Sequence, residues 1–292
     1  MTATLAALAR PSGAFAMLAL DQREGLRTML QSAGRRSDHR ALTEFKVAAA
    51  RALAGSASAV LIDVEYGLAA VREAGAIPPG CALIVAADRL TQAPGGPVEW
   101  TEVDDAVLAD DEIASVADAY KLLVIVRPGE ESARARIVEA FVRACRARKR
   151  PAIVEGIVRG DDGTSVAARD HADRVIDAAV ELTSLGADLY KAEIPTLGAA
   201  DDGAIQAVAE RLTTAIPRPW VVLSNGTPAE RFDGAMLAAC RGGASGFLAG
   251  RAIWSASIAA PNPETHLATV AAPRLATLGA AVDEALRART SR

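Results

Sequence analysis

Histidine and cysteine are scarce in this chain of 292 residues, and neither is clustered. The three histidines, His39, His171 and His266, lie far apart and offer no paired ligand spacing. Zinc-dependent chemistry draws on grouped histidines, so no metal ligand set is expected. The three cysteines, Cys81, Cys145 and Cys240, are scattered and odd in number. That pattern excludes a disulfide framework and fits a reducing compartment, with each cysteine serving as a small buried hydrophobe. An excess of positive charge is also missing. With 32 Lys and Arg against 36 Asp and Glu, the net charge is −4, and no basic face is on offer to nucleic acid. Although 51% of the residues are hydrophobic, no uninterrupted apolar run approaches the roughly 18 residues of a membrane span. Residues 1–13 lack a basic region followed by a long apolar core, so no signal peptide is expected and the expected location is cytoplasmic.

What the chain does contain is a series of short apolar runs. They cover Ala14–Asp21, Ser58–Asp63, Ala82–Asp88, Tyr120–Arg127, Ala152–Arg159, Leu189–Pro195, Trp220–Ser224 and Gly246–Gly250. Most are continuous rather than alternating, as strands covered on both faces should be. Segments with helical periodicity lie between most of them, among them Thr43–Ala54, Ser132–Arg148 and Ala172–Leu185, the last followed by Gly186 as a helix stop. Eight strand–helix units predict an α/β fold, a closed (β/α)8 TIM barrel, and nothing linker-like divides it into more than one domain. Arg89–Asp118, with its Pro94-Gly95-Gly96-Pro97 turn, is less regular and reads as a long excursion.

Charge interrupts the apolar runs at telling places. Asp21, Asp63, Lys121, Glu155, Lys191 and Glu193 lie within or at the ends of the strands, where an unpaired charge costs several kcal/mol. Period two puts Lys121 on one face with Leu123, Ile125 and Arg127, Glu155 with Ile157 and Arg159, and Lys191 with Glu193. If those faces point inward, the charges converge near the barrel axis, as a catalytic set or as a structural ion-pair network. The last two strands end in Ser224-Asn225-Gly226 and in Gly250-Arg251, the latter opening a short helix. Barrels often bind phosphate there, using backbone N–H groups at a helix N-terminus, and arginine can grip the anion with paired hydrogen bonds.

Three motifs carry a family resemblance. Ala16-Met17-Leu18-Ala19-Leu20-Asp21-Gln22-Arg23-Glu24, Ala187-Asp188-Leu189-Tyr190-Lys191-Ala192-Glu193-Ile194-Pro195 and Gly243-Ala244-Ser245-Gly246-Phe247-Leu248-Ala249-Gly250-Arg251-Ala252-Ile253-Trp254 resemble the signatures of one group of class I aldolases. The group contains sulfofructosephosphate aldolase and tagatose 1,6-bisphosphate aldolase, and the likeness extends to Phe45-Lys46, Ile84–Asp88 and the Lys121 strand. The resemblance leans toward the sulfofructosephosphate enzyme. It implies a Schiff-base lysine at Lys191, a proton-transferring carboxylate at Glu155, and further active-site polar residues at Lys121 and Asp21. It also implies an anion site at Ser224, Asn225, Gly226, Gly250 and Arg251, with Gln22 reaching the far end of the substrate. Asn225 stands where a serine is expected, and Gly156 where a proline is expected.

The reaction so implied splits a ketose 1-phosphate between C3 and C4 without metal or other cofactor. The products are dihydroxyacetone phosphate and either sulfolactaldehyde or glyceraldehyde 3-phosphate. The expected ligand is a phosphorylated, sulfonated ketose, with tagatose 1,6-bisphosphate as the alternative and a homo-oligomer as the expected assembly. Lys191 must lose its proton before attacking, and Lys121 is the neighbour expected to lower its pKa from about 10.4 by like-charge proximity. An isomerase or decarboxylase would keep the phosphate loops without a Schiff-base lysine, and a sugar-phosphate sensor would keep the barrel without Lys191 or Glu155. The lack of clustered histidines predicts that turnover survives EDTA. Activity abolished by chelation and restored by zinc or cobalt overturns this reading.

Overall fold

The structure is a computed structural model that describes residues 4–93, 95–160, 166–225 and 227–290. Eight parallel strands close into a barrel: β1 (Phe15–Leu20), β2 (Ala59–Ile62), β3 (Ala82–Ala86), β6 (Ala119–Val126), β7 (Ala152–Val158), β8 (Leu189–Glu193), β9 (Trp220–Leu223) and β10 (Gly246–Ala249). They neighbour one another in chain order, and β10 returns to β1 to close the ring. This is the expected TIM barrel. Each of the eight apolar runs became a strand, and Asp21, Asp63, Arg127, Arg159 and Ser224 each sit just past the C-terminal end of one.

Alternation along the strands sorts the side chains into two cores. Met17, Leu61, Ile84, Ile153, Leu189, Val221 and Leu248 fill the lower barrel interior. The intervening residues, such as Leu18, Val60, Val85, Val154 and Val222, face outward and pack beneath the helices. Those helices have one apolar stripe each, as in His39–Leu53, which buries Leu42, Phe45, Ala49, Ala50 and Leu53. Glu131–Ala147 and Ala168–Ser184 occupy the segments expected to be helical, and Gly186 lies just beyond the second at φ +102°, the left-handed conformation of a helix stop. Among the described residues, no helix is long and apolar enough to cross a membrane.

The excursion after β3 is more ordered than expected. Residues β4 (Asp88–Gln92) and β5 (Val98–Val103) pair antiparallel outside the barrel sheet, with a register shift between Thr91 and Gln92. Two short helices, Asp105–Ala109 and Asp111–Val116, then lead into β6. A search for continuous apolar runs finds buried parallel strands, whereas this ribbon alternates exposed and covered residues. Pro94, within the expected turn, lies outside the described residues. The hairpin stands over the C-terminal mouth, where Leu90, Gln92 and Val98 join the cavity wall.

Two glycines are required by close approach. Gly156 in β7 leaves room for Tyr190: a Cβ there would meet the phenol oxygen at 2.3 Å. That contact accounts for the absence of a bulkier residue after Glu155. At the β1–β10 seam, Gly246 pairs with Phe15 at φ +136°, and a Cβ would lie 1.9 Å from the Phe15 carbonyl oxygen. Gly246→Ala is therefore expected to destabilise the barrel by about 2–4 kcal/mol, through both strain and steric clash. A chemical denaturation midpoint indistinguishable from the parent chain refutes that account of the seam.

Candidate active site

Neighbouring strands bring the inward charges together through their register. Leu123 pairs with Glu155, and Glu155 with Lys191, so the carboxylate and the second lysine stand side by side at one level of the barrel. Lys121 is one inward position lower on β6, pairing with Ile153. Its Nζ donates to Asp21 Oδ2 at 2.8 Å and to Asp88 Oδ2 at 3.1 Å, and it lies 2.9 Å from Glu155 Oε2. Lys191 Nζ donates to the same Glu155 oxygen, also at 2.9 Å. All five groups are buried or nearly so.

This geometry gives the two lysines different electrostatics. Burial by itself would push the Lys121 ammonium down, but Asp21, Asp88 and Glu155 outweigh it and hold its pKa well above the ordinary lysine range. Burial would likewise raise Asp21, yet Lys121, then Lys191, keep it well below the usual carboxylate range. Lys121 is thus a permanent cation and Asp21 a permanent anion near neutral pH. Lys191 hydrogen-bonds one carboxylate, Glu155, with Asp21 near enough to feel its charge. The expected lysine–lysine juxtaposition is mediated rather than direct, because one carboxylate oxygen stands between the two ammonium groups.

Asp88 belongs to this cluster and was not among the expected site residues. Its second oxygen accepts from Arg23 Nη2 at 3.0 Å, and Oδ2 also accepts from the Leu123 backbone N–H at 3.0 Å. The signal was present, since Asp88 ends an apolar run just as Asp21 does. Asp63 ends one too but pairs elsewhere: it is fully buried against Lys46, and its other oxygen caps Tyr66 N. Lys46 also donates to the Leu20 carbonyl, bracing the end of β1 beside Asp21.

A cavity of about 270 Å³ opens above the cluster. Asp21, Gln22, Lys121, Glu155, Lys191, Ser224, Asn225, Gly250 and Arg251 all line it, so the structure gathers nearly every expected site residue. Gly226 lies outside the described residues. The Gln22 carbonyl oxygen is buried without a hydrogen-bond partner among the described residues. Gly250 admits the Gln22 amide closely, since a Cβ there would meet Nε2 at 2.9 Å. Arg251 opens the helix Arg251–Ala259, as expected of a phosphate-binding strand end. Arg159 joins the wall. Burial, with Arg127 and Arg251 nearby, lowers its pKa, and Glu193 partly offsets this. Glu193 itself stays out of the cavity, accepting from Val158 N and from Asn225 Nδ2 at 2.9 Å each. Among the described residues, no group of three or more His, Cys, Asp and Glu is arranged to hold a metal; the carboxylates here surround an ammonium instead.

A parallel (β/α)8 barrel with two lysines and three carboxylates buried beneath its C-terminal mouth has the groups for charge-assisted chemistry in an enclosed cavity. The model of the DeoC/LacD family of aldolases matches residues 15–256, and the chain belongs to that family. Tagatose 1,6-diphosphate aldolase of Listeria monocytogenes is 27% identical over 274 residues, covering 86% of this chain and 80% of that protein. Tagatose 1,6-diphosphate aldolase 1 of Streptococcus mutans is 27% identical over 282 residues, covering 86% and 84%. Among solved structures, the fructose-bisphosphate aldolase from Slackia heliotrinireducens has the same fold, with a TM-score of 0.65 at 17% identity, covering 95% of this chain and 86% of that one.

The cluster generates a stability prediction with an unusual sign. Lys121→Met leaves three buried carboxylates without their shared cation, at an expected cost of about 3–5 kcal/mol at neutral pH. In the variant the burial of Asp21 is no longer opposed by Lys121, so its carboxyl is pushed up and the folded state tolerates acidification better than the parent. In the parent chain the depressed Asp21 works the other way and is lost as pH falls. Urea denaturation at pH 6 and pH 3, either side of the unfolded carboxylate pKa of about 4, measures both slopes. A variant that weakens on acidification like its parent contradicts the assignment of Lys121 as their common counter-charge.

Proposed function

We propose that this aldolase cleaves a ketohexose 1,6-bisphosphate of the tagatose type, with Lys191 as the Schiff-base lysine and Glu155 as its proton-transfer partner. The observation that carries the roles is the single Glu155 oxygen shared by two unequal lysines. Lys121, held by three carboxylates, stays protonated and is unfit to attack a ketone. Lys191, held by one, has Glu155 in hydrogen-bond reach to take its proton.

The neutral Lys191 amine attacks C2, and one of its own protons passes to the carbonyl oxygen as the carbinolamine forms. Glu155 gives the proton that it took from Lys191 to the departing hydroxyl, so water leaves, the cationic iminium forms and Glu155 is a carboxylate again. Glu155, as carboxylate, then accepts the C4 hydroxyl proton while the C3–C4 electron pair moves into the iminium. The aldehyde departs and an enamine remains on Lys191. Protonation at C3 and hydrolysis release dihydroxyacetone phosphate and return the lysine. Asp21 is the weaker candidate for the base, because its depressed pKa makes it a poor proton acceptor. Lys121 supplies fixed positive charge beneath the reacting centre.

The substrate follows from the second anion. A sulfonated ketose 1-phosphate, the leaning of the sequence motifs, shares the dihydroxyacetone phosphate half and differs only at C6. Two considerations favour phosphate there. The similar proteins bear the name tagatose 1,6-diphosphate aldolase, and Arg159 adds a guanidinium to the wall beyond Arg251. The test has two arms on one preparation. Borohydride with dihydroxyacetone phosphate is expected to label Lys191, and Lys191→Met to lose both label and turnover. The kcat/KM for tagatose 1,6-bisphosphate is expected to exceed that for 6-deoxy-6-sulfofructose 1-phosphate by about tenfold or more. A reversed preference transfers the enzyme to sulfosugars, and a label on Lys121 reverses the lysine roles.

A further inference from the structure

The anion-binding end of the cavity contains an arrangement that the reaction itself does not call for. Glu193 is buried to 1% exposure, yet no lysine or arginine side chain donates to it among the described residues. Its Oε2 accepts from the Val158 backbone N–H and lies 3.5 Å from His171 Nε2, while its Oε1 accepts from Asn225 Nδ2. The other end of the Asn225 amide accepts from Arg251 Nη2 at 2.7 Å. A carboxylate only accepts hydrogen bonds and a guanidinium only donates them, so the group between them must do both. An amide meets that requirement in one orientation, with its nitrogen toward Glu193 and its oxygen toward Arg251.

We propose that Asn225 is a positioning residue rather than a substrate ligand: it ties Arg251, as the grip on the C1 phosphate, to the buried Glu193 carboxylate. This rests on the aldolase reading above, together with the expected anion site at Arg251 as the place of the dihydroxyacetone phosphate end. The consequence is geometric. Glu193 is two residues from Lys191 on the same strand, β8, so the phosphate grip and the nucleophile are referenced to one rigid element. Arg251 would otherwise be an exposed side chain at a helix start, free to sample many rotamers. The Glu193–Asn225 link removes that freedom before the ligand arrives, which is how a preorganised contact favours binding. Asn225 thereby moves from the binding set expected from its sequence position to the support behind it.

The experiment compares two ligands that differ only in the phosphate. Borohydride trapping rates are measured at subsaturating dihydroxyacetone phosphate and at dihydroxyacetone, using the full chain. Asn225→Ala is expected to lower the phosphate-to-neutral rate ratio about tenfold, and Arg251→Ala to lower it at least as far. The double variant is expected to match Arg251→Ala within about twofold, because a residue that acts through another adds nothing once that other is gone. A loss equal for both ligands means that Asn225 supports the site in general and overturns the proposal. So does an unchanged ratio, or a double variant in which the two losses multiply, which marks Asn225 as a ligand in its own right. No adduct with dihydroxyacetone phosphate on the parent chain defeats the aldolase reading and this inference together, whereas an adduct indifferent to Asn225 defeats only this inference.

Discussion

The Lys121 ammonium, enclosed by Asp21, Asp88 and Glu155, is the constraint around which the upper barrel is arranged. Three strands and one shared cation are mutually dependent: remove the charge and three carboxylates are left desolvated; remove the carboxylates and a buried ammonium has no partner. Such a network need not stabilise the fold relative to a hydrophobic one of the same shape. Its value here is electrostatic. By satisfying Lys121 so completely, it leaves Lys191 as the less compensated amine, with a single carboxylate oxygen within reach.

That division of labour between two identical side chains depends on strand register. Glu155 stands level with Lys191 across one sheet spacing, while Lys121 approaches the same oxygen from the other side and one inward position lower. Beneath them, Ile153, Leu189, Val221 and Leu248 close off the lower barrel, so charge is confined to the layer that opens toward the mouth. In this dry setting each ion pair is less screened than at a surface, which is why Lys121 is held so firmly in its charged form. Outside the barrel wall the Lys46–Asp63 pair buttresses the end of β1, with Lys46 also bonded to the Leu20 carbonyl next to Asp21.

Much of this was legible in one dimension. The eight strands declared themselves as continuous apolar runs, and of the charged residues that broke or ended those runs Asp21, Lys121, Glu155 and Lys191 line one cavity. Asp88 had the same signature but went unassigned, because nothing in a linear pattern says which of two strand-end aspartates turns into the barrel. Asp63 illustrates the opposite outcome, ending a strand in the same way and pairing with a helix lysine outside the cavity. The β4–β5 ribbon was hidden by its own chemistry, since an exposed antiparallel pair alternates polar and apolar residues and lacks the long apolar run that marks a buried parallel strand.

Sequence alone determined the barrel and which charged side chains interrupt its strands, because hydrophobic periodicity and the cost of burying charge are written residue by residue. Period two settled which residues share a strand face. Tertiary structure decided everything that depends on distance between strands. Only closure of the ring placed Glu155 between Lys121 and Lys191, set Asp88 on Lys121 rather than in solvent, and made Asn225 a bridge from Glu193 to Arg251. The reason is physical: hydrogen bonds and ion pairs act over about 3 Å. Residues 121, 155 and 191 come within that range only when three separate strands align in register.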